Sequence, residues 1–429
     1  MYVGSDMEDI QIHKQKVQDR LYERINKLRT QRLVLEKEKI SYNLVLGVLL
    51  CAFFNCFLTF FIGTFLILSI NPKKDELRLW GWIGVLFVSL LSMTKVPESD
   101  LDWIVGHFHL AGSMSYVHYL ALLGKEPLYQ SFSYAMHYVL ANNEKFFIFT
   151  LSTISMSLLY VSLYTFCEKV RVNKYIYVTC VYLMLFFPFF FGAPVHIVRQ
   201  TMALSLFIFV FVNKICGKRF YWPLALCTPF IHSTVFLCLP FLVLGYLKKP
   251  ISMRSLMVYA LVGAVFFSIQ MIASFLFPLL DNSNSSIAYA LDRASRDTEF
   301  DSRVVGYQMF ITYMIGMLLL YLIWNNRWRL KQHEEINFFS NFIILIIIFI
   351  ICSTGQDQLQ GRFNLLIWQY LALISCVILK FIKIDKYLLT VFCVFLFFVW
   401  WYYELYVTPF DFKGIGSFWY YTIFNYYLS

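Results

Sequence analysis

Long apolar runs separated by short polar segments make up most of this chain. Runs such as 146–166, 255–280, 336–352 and 387–403 are continuous in Phe, Leu, Ile and Val. Each approaches or exceeds the roughly 20 residues that a helix needs to cross a bilayer, and none shows the short alternating segments of an outer-membrane barrel. The pattern therefore predicts an all-α fold, a polytopic membrane bundle of about eleven transmembrane helices.

The composition supports this interpretation. Hydrophobic residues make up 59% of the chain and charged residues only 14%, which leaves too little polar surface for a water-soluble fold. All ten cysteines lie within or at the ends of apolar runs, and none shows the paired spacing of a metal or disulfide site, so we expect buried, apolar thiols. Residues 1–41 are charged throughout and contain no signal-peptide core, so the internal helices must drive insertion.

Changes in polarity divide the chain into three regions. Residues 1–41 are predicted to form a charged amphipathic N-terminal helix, residues 42–407 the polytopic transmembrane domain, and residues 408–429 an aromatic C-terminal tail. Within the transmembrane domain, two long polar loops are expected at 97–145 and 281–305, and loops of that length seldom act only as connectors.

Basic residues predict the orientation. Each of six short segments carries three Lys or Arg, and by the positive-inside rule all six lie on the cytoplasmic side: 71–78, 168–174, 213–219, 248–254, 325–335 and 380–386. The two long loops then lie outside. A single crossing by 43–70 would put the basic segment 1–41 outside as well, against the charge rule, so the side of that segment is left open.

One segment does not fit simple alternation. Residues 220–247 have basic flanks on both sides, yet they are too short for two full crossings. Pro223, Pro229 and Pro240 each remove a backbone donor. We therefore predict a broken, re-entrant hairpin with its break around His232, which is either a buried histidine with satisfied hydrogen bonds or part of a substrate site.

A polar group begins one of the apolar runs. Arg199 and Gln200 open a predicted helix near its outer end, with His196 on the same face as the arginine. A guanidinium beside the backbone donors of a helix N-terminus is a good receptor for phosphate or pyrophosphate. The alternative is an arginine that only anchors the helix at the headgroups.

The outer loop 97–145 carries a second group of polar residues. Its carboxylates, Asp100, Asp102 and Glu126, could deprotonate a sugar hydroxyl or bind sugar hydroxyls, unless they are only solvated surface charges. The loop also offers aromatic faces on which pyranose rings can stack, at Trp103, Tyr116, Tyr119 and Tyr129. His107 and His109 lack a third ligand at a suitable spacing, so we predict no metal site.

A third group repeats the arrangement of Arg199. Arg303 and Arg362 each precede an apolar run that is predicted to start at the outer side. Three arginines at outer helix ends would form a cationic ring suited to an anionic lipid headgroup. Membrane anchoring is again the alternative for each of them.

Four short motifs occur in one order along residues 43–407: "ESDLDW", "KEPLYQSFSYAMHYV", "VRQTMALSLF" and "FIHSTVFLCLPFL". In this order the sequence resembles the Wzy-type bacterial polysaccharide polymerases, specifically their EpsG-like branch. The resemblance implies a fold similar to the glycosyltransferase-C or O-antigen-polymerase bundles. It also implies an enzyme of the bacterial inner membrane whose active site faces the periplasm or outside.

The resemblance implies a reaction as well. Such enzymes join oligosaccharide units carried on polyprenyl pyrophosphate into O-antigen, capsule or exopolysaccharide, without a nucleotide sugar, metal or cofactor. Arg199 and Gln200, with Arg303 or Arg362, would bind the pyrophosphate, and a carboxylate or His232 would activate the acceptor hydroxyl. Partners would be the lipid-linked substrates, membrane lipids and a chain-length regulator, with no nucleic acid. The alternatives are a lipid-linked oligosaccharide flippase or transporter, an O-antigen ligase and a sugar acyltransferase.

Overall fold

A computed structural model describes residues 55–69, 72–97, 100–124, 126–187, 197–218, 222–280, 302–353 and 357–407, and every regular element in these segments is helical. The first seven α-helices are α1 Cys56–Ser69, α2 Lys74–Ser92, α3 Asp100–Leu110, α4 Tyr116–Leu123, α5 Pro127–Val139, α6 Glu144–Val170 and α7 Lys174–Phe186. They are followed by α8 Val198–Ile215, α9 Trp222–Ile231, α10 Met253–Leu280, α11 Ser302–Asn326, α12 Glu334–Cys352, α13 Asp357–Gln369, α14 Leu371–Phe381 and α15 Lys386–Val407. The predicted regions 1–41 and 408–429 lie outside the described residues, as does most of the loop 281–305.

The described segments confirm a helical membrane bundle. Four helical segments are long and apolar enough to cross a membrane: Glu144–Val170, Val198–Ile215, Gln308–Asn326 and Glu334–Cys352. The pair Gln360–Gln369 and Leu371–Phe381, bent by 57°, makes a fifth if it is counted as one span. Shorter apolar helices occupy several remaining runs. The total of about eleven spans, and the likeness to glycosyltransferase-C folds, stay predictions.

Helix α8 lies at the centre of the bundle. It packs against α6, α9, α12 and α13, and 72% of its apolar window is buried. Phe207 and Phe211 on α8 contact Phe342 on α12, and Phe211 also contacts Tyr370 at the α13–α14 bend. Because α8 is held from several sides, its first turn is a fixed platform for the polar residues found there.

Small residues bring α2 close to its neighbours. A Cβ atom on Gly81 would collide with the ring of Tyr160 on α6, and one on Gly84 would collide with Leu185 on α7. Glycine thus permits the close backbone approach on which helix association in membranes depends. The hydroxyl of Tyr160 donates to the backbone oxygen of Arg78 at 2.6 Å, so the same contact also satisfies a buried polar group.

The break predicted within residues 220–247 is confirmed. Helix α9 contains Pro229, whose ring removes a helix donor, and it ends at Ile231. His232 is extended, with φ −157° and ψ 128°, and a 3-10 helix follows over Ser233–Leu242. The side chain of His232 therefore stands at a helix end. The re-entry of this segment into the membrane stays a prediction.

The basic segments meet at one end of the bundle. Lys74 and Lys218 each lie 3.8 Å from Glu168, at the end of α6. Lys248 lies 3.1 Å from Glu334, at the start of α12. We call this the basic end. Five of the six segments predicted to be cytoplasmic supply these three pairs, which agrees with the alternation predicted from the sequence.

Candidate functional site

Four helix ends meet near the first turn of α8, at the end of the bundle opposite the basic end. Asp100 begins α3, Glu126 directly precedes α5, Arg199 is the second residue of α8, and His232 follows the last residue of α9. The contacts between α5 and both α3 and α9 hold three of these ends together. We call these four side chains the arginine cluster.

Arg199 is held by two carboxylates. Its Nη1 donates to Oε2 of Glu126 at 2.7 Å, and its Nη2 donates to Oδ1 of Asp100 at 3.0 Å. The three side chains are only 22%, 13% and 28% exposed, respectively. One guanidinium and two carboxylates carry a net charge of −1, so the arginine predicted to receive phosphate is already paired with two acidic side chains.

Glu126 contacts a second partner. Its Oε1 lies 3.5 Å from Nε2 of His232. On the other side of that ring, Nδ1 accepts a hydrogen bond from the backbone N–H of Thr234 at 3.3 Å, and the Thr234 hydroxyl lies 2.8 Å away. Because Nδ1 accepts, the neutral imidazole carries its proton on Nε2, which faces Glu126. Glu126 therefore links the arginine to the histidine.

The backbone of Glu126 is in an unusual conformation. Its φ of 53° and ψ of 56° lie in the left-handed region, which side chains with a Cβ seldom adopt and which costs about 1–3 kcal/mol. Pro127 follows at the first position of α5, where proline favours helix initiation. Strain of this kind clusters at functional sites, because the surrounding contacts must hold it in place.

Aromatic rings from α3 cover the arginine. The guanidinium carbon of Arg199 lies 4.3 Å from the ring centroid of Trp103, a cation–π contact. His107, one turn further along α3, packs edge-on against Trp103 at 3.7 Å. Burial lowers the pKa of His107 below its usual value of 6.5, and the positive charge of Arg199 lowers it further. His107 is therefore a neutral side chain beside the cluster at physiological pH.

Tyr129 lies under the cluster, 2% exposed. Its pKa is well above the usual value because burial disfavours the phenolate; the charge of Arg199 opposes this shift, and those of Asp100 and Glu126 add to it. The hydroxyl is therefore a neutral donor. It makes no hydrogen bond with the described residues, and neither does the buried Nε of Arg199. Buried donors without an acceptor are rare in folded proteins, so these two call for a ligand or water.

A model of the EpsG family matches residues 78–426, which include all four members of the arginine cluster. The chain belongs to the EpsG family. The resemblance expected from the four motifs is thereby confirmed, and the protein is a membrane protein of the polysaccharide-polymerase type. No curated protein and no solved structure matches the chain.

The EpsG-family chain brings five of the predicted site residues together: Asp100, Glu126, Tyr129, Arg199 and His232. The rest are elsewhere or not described. Asp102 is exposed on another face of α3, and Arg362 is half-buried in α13. Gln200 is buried, and its Nε2 atom has no hydrogen-bond partner among the described residues. His196 and the side chain of Arg303 lie outside the described residues. The roles of these residues stay predictions.

The two histidines of α3 point to different partners. His109 lies 2.6 Å from Oδ1 of Asn142 and 3.1 Å from Oε2 of Glu144, at the protein surface, whereas His107 packs on Trp103. In the part of the chain that the structure describes, no group of three or more His, Cys, Asp or Glu side chains is arranged to bind a metal ion.

Sequence reasoning missed two features of the site in this EpsG-family chain. Trp103 was expected to stack on a sugar ring, but one face is covered by Arg199. Thr234, which orients His232, was not singled out. Its signal in the sequence is a hydroxyl residue two positions after a histidine at a helix break, where such side chains readily bond to nearby polar groups.

Proposed function

We propose that this protein is a glycosyltransferase that polymerises oligosaccharide repeat units carried on polyprenyl pyrophosphate into O-antigen, capsule or exopolysaccharide. The reaction takes place at the outer face of the bacterial cytoplasmic membrane. One observation carries the proposal: a largely buried, strained cluster of two carboxylates, an arginine and a histidine in a chain with 59% hydrophobic residues. Ionisable groups within membrane proteins are costly and usually mark functional sites.

The reaction needs a base and a site for the leaving group. The hydroxyl oxygen of the acceptor sugar attacks the anomeric carbon of the donor, the bond from that carbon to the pyrophosphate oxygen breaks, and the electron pair leaves with the lipid pyrophosphate. The hydroxyl proton is transferred to a base. Glu126 is our candidate for this base, with its Oε1 atom 3.5 Å from Nε2 of His232.

His232 and Arg199 position this carboxylate. Thr234 keeps the Nε2 proton of His232 directed at Glu126, and Arg199 holds the other carboxylate oxygen at 2.7 Å. A carboxylate fixed on both sides loses little rotational freedom when the substrate arrives. Asp102 remains an alternative base, since it is an exposed carboxylate on α3, the helix that begins at Asp100.

The leaving group requires more positive charge than the cluster supplies. With Asp100 and Glu126 bound to it, Arg199 keeps a buried Nε donor that has no acceptor among the described residues. The hydroxyl of Tyr129 is a second such donor. We assign the additional binding of the pyrophosphate to Arg303 and Arg362, whose fixed positive charges stabilise charge that grows on a leaving group, and to the hydrogen-bond donors of His196 and Gln200.

Polymerisation by purified protein tests the proposal. Wild-type protein in lipid vesicles, given the host's lipid-pyrophosphate-linked repeat unit, should produce a ladder of glycans on a gel. Arg199→Ala should abolish the ladder, and Arg199→Lys should weaken it because lysine cannot bind two carboxylates in the same planar geometry. Lys248→Ala, at the basic end, is the matched control. No ladder from folded wild-type protein would indicate a transporter or a ligase, and a full ladder from Arg199→Ala would make the arginine an anchor.

A further inference from the structure

A lateral groove about 690 Å³ in volume lies between α7, α11, α14 and α15. Its described lining is almost wholly apolar and includes no charged residue; it includes Leu183, Phe187, Ile315, Trp368, Ser375 and Phe395. The volume is in the range of cavities that enclose small ligands. A cavity of this kind suits a hydrocarbon chain.

One end of the groove lies at the same end of the bundle as the arginine cluster. Trp368 stacks on Phe187 at 5.3 Å. Its indole N–H donates to Asn364 at 3.1 Å, so the polar atom of the ring is hydrogen-bonded to the protein. The next residue, Gln369, donates from Nε2 to Oγ1 of Thr201 at 3.2 Å. Thr201 is two positions after Arg199 on α8 and points to the other side of that helix. This end of the groove therefore lies across the first turn of α8 from the cluster, on the order of 10–15 Å away.

The other end of the groove reaches towards the basic end. Thr179 on α7, Ile378 on α14 and Leu388 on α15 line it. Along α14 the lining extends from Leu371 to Ile378, an advance on the order of 10 Å at the rise of an α-helix. The groove is therefore elongated, and it runs along the helices away from the polar cluster. That is the course a hydrocarbon chain would take if its pyrophosphate lay at Arg199.

We propose that this groove binds the first isoprenyl units of the lipid carrier, the part of the chain next to the pyrophosphate. The inference rests on the proposed function, because it takes the pyrophosphate of the donor to bind near Arg199. Bilayer lipid is as apolar as the groove, so burial of the chain adds little binding energy. The groove instead fixes the chain, and through the chain it fixes the sugar–pyrophosphate bond beside Glu126.

A photoreactive probe tests the occupant without requiring turnover. The probe is a farnesyl-length pyrophosphate with a diazirine near the pyrophosphate end of its chain, added to the full-length protein in phosphatidylcholine vesicles. Labelled positions are mapped by mass spectrometry. We expect labels on α11, α14 and α15, and we expect polyprenyl pyrophosphate to compete with the probe while excess phosphatidylglycerol does not.

Two groove variants and one control sharpen the test. Ser375→Phe fills the groove from α14, and Ile315→Phe fills it from α11, so one can replace the other if either fails to fold. Met317→Phe makes a comparable change on α11 at a side chain that is 59% exposed and does not line the groove. The groove variants should lower labelling about tenfold, and the control should not change it; rates with a long-chain donor should fall about tenfold to a hundredfold.

The outcomes separate this inference from the proposed function. Equal competition by phosphatidylglycerol, or labelling unchanged in both groove variants, would mean that only ordinary membrane lipid occupies the groove, and the inference would be wrong. Polymer ladders at wild-type rates in both groove variants would also overturn it while leaving the polymerase standing. Competed, groove-dependent labelling without any ladder from wild-type protein would keep the groove as a lipid pyrophosphate site and reject the polymerase.

Discussion

The two ends of the bundle both carry ion pairs, but the pairs differ in kind. At the basic end, Lys248 and Glu334 are 3.1 Å apart with side chains 52% and 65% exposed. At the other end, Arg199 binds Glu126 and Asp100 at 2.7 and 3.0 Å with side chains 22% or less exposed for the first pair. Exposed pairs contribute about 0–1 kcal/mol each. Partly buried charges must recover a desolvation cost, and they do so only with good geometry.

The difference in exposure and geometry indicates a different role for the charges at each end. The charges of the basic end are numerous, and they are carried on long side chains that are exposed to solvent. This suits a role in membrane orientation, which depends on the sign of the charge and not on its geometry. The charges of the arginine cluster are few and held in defined geometry, and one of them stands on a left-handed backbone. Such an arrangement is expected where geometry determines chemistry.

A change at Glu126 should have the greatest consequence, a loss of catalytic rate. Glu126→Gln removes the proposed base and keeps the size of the side chain, so the rate of chain extension should fall about a thousandfold, within the usual range for a lost general base. Glu168→Gln, at the basic end, is the matched change and should leave the rate within about twofold. Rates are measured as lipid-linked repeat units consumed per minute.

Folding must be checked in the same experiment. Both variants should elute as single species and keep the helical signal of the wild type, because neither change removes packing volume. A normal rate in Glu126→Gln would show that Glu126 is not the base and that Asp102 or another residue takes this role. A large loss in Glu168→Gln would mean that the two ends are not functionally distinct.

The sequence indicated most members of the cluster, because a charge beside an apolar run is conspicuous. It did not indicate their pairing. Glu126 and Asp100 lie 73 and 99 positions from Arg199, and contacts over such separations depend on how the helices pack. The sequence favoured Asp102 as a catalytic carboxylate and Asp100 as a substrate ligand, but two residues apart on a helix they point about 200° apart, so only one can face the arginine. That choice required the orientation of α3.

The break at His232 was predictable for a local reason. Pro229 and the polar residues around it interrupt the helix within their own segment, so no distant contact is needed to infer the break. The orientation of the imidazole, in contrast, depends on both Thr234 and Glu126. Local signals predict where a helix ends, and the packing of several segments determines where the side chain at that end points.

Double-mutant cycles measure how strongly the paired charges are coupled at each end of the bundle. Arg199→Gln and Asp100→Asn, alone and together, should give a coupling of about 2 kcal/mol in the free energy of unfolding, typical of paired charges that share a network. Lys248→Met and Glu334→Gln should give less than about 0.5 kcal/mol. Unfolding is followed by denaturant titration in micelles at low and high salt.

Salt should separate the two couplings further. The exposed pair should lose its coupling as ionic strength rises, because solvent ions screen charges that are open to water. The coupling of Arg199 and Asp100 should persist. Equal couplings at both ends, or equal loss with salt, would contradict the distinction between the two kinds of ion pair.

A smaller effect is expected from the hydroxyl of Tyr129. Tyr129→Phe removes a buried donor that has no acceptor among the described residues, so the stability of the protein should be unchanged or slightly higher. If the hydroxyl binds substrate, the rate of chain extension should fall about tenfold, the effect of one lost hydrogen bond. Tyr177→Phe removes a hydroxyl that bonds to Tyr160 at 2.7 Å, away from the cluster, and should show the reverse: lower stability with an unchanged rate.

The weakest effect expected is a pH dependence of protein stability that arises from His107, beside the cluster. The pKa of His107 lies below its ordinary value of 6.5, mainly through burial and also through the charge of Arg199. Between these two values the unfolded chain binds a proton that the folded chain does not, so the free energy of unfolding should fall as the pH drops below about 6.5. His107→Gln should therefore lose less thermal stability than the wild type between about pH 7.5 and about pH 5.5. His118→Gln, at an exposed position in the same loop, should behave as the wild type does. Identical pH profiles for His107→Gln and the wild type would show that neither burial nor the charge of Arg199 shifts the pKa of His107. The cluster would then affect Trp103 but not His107.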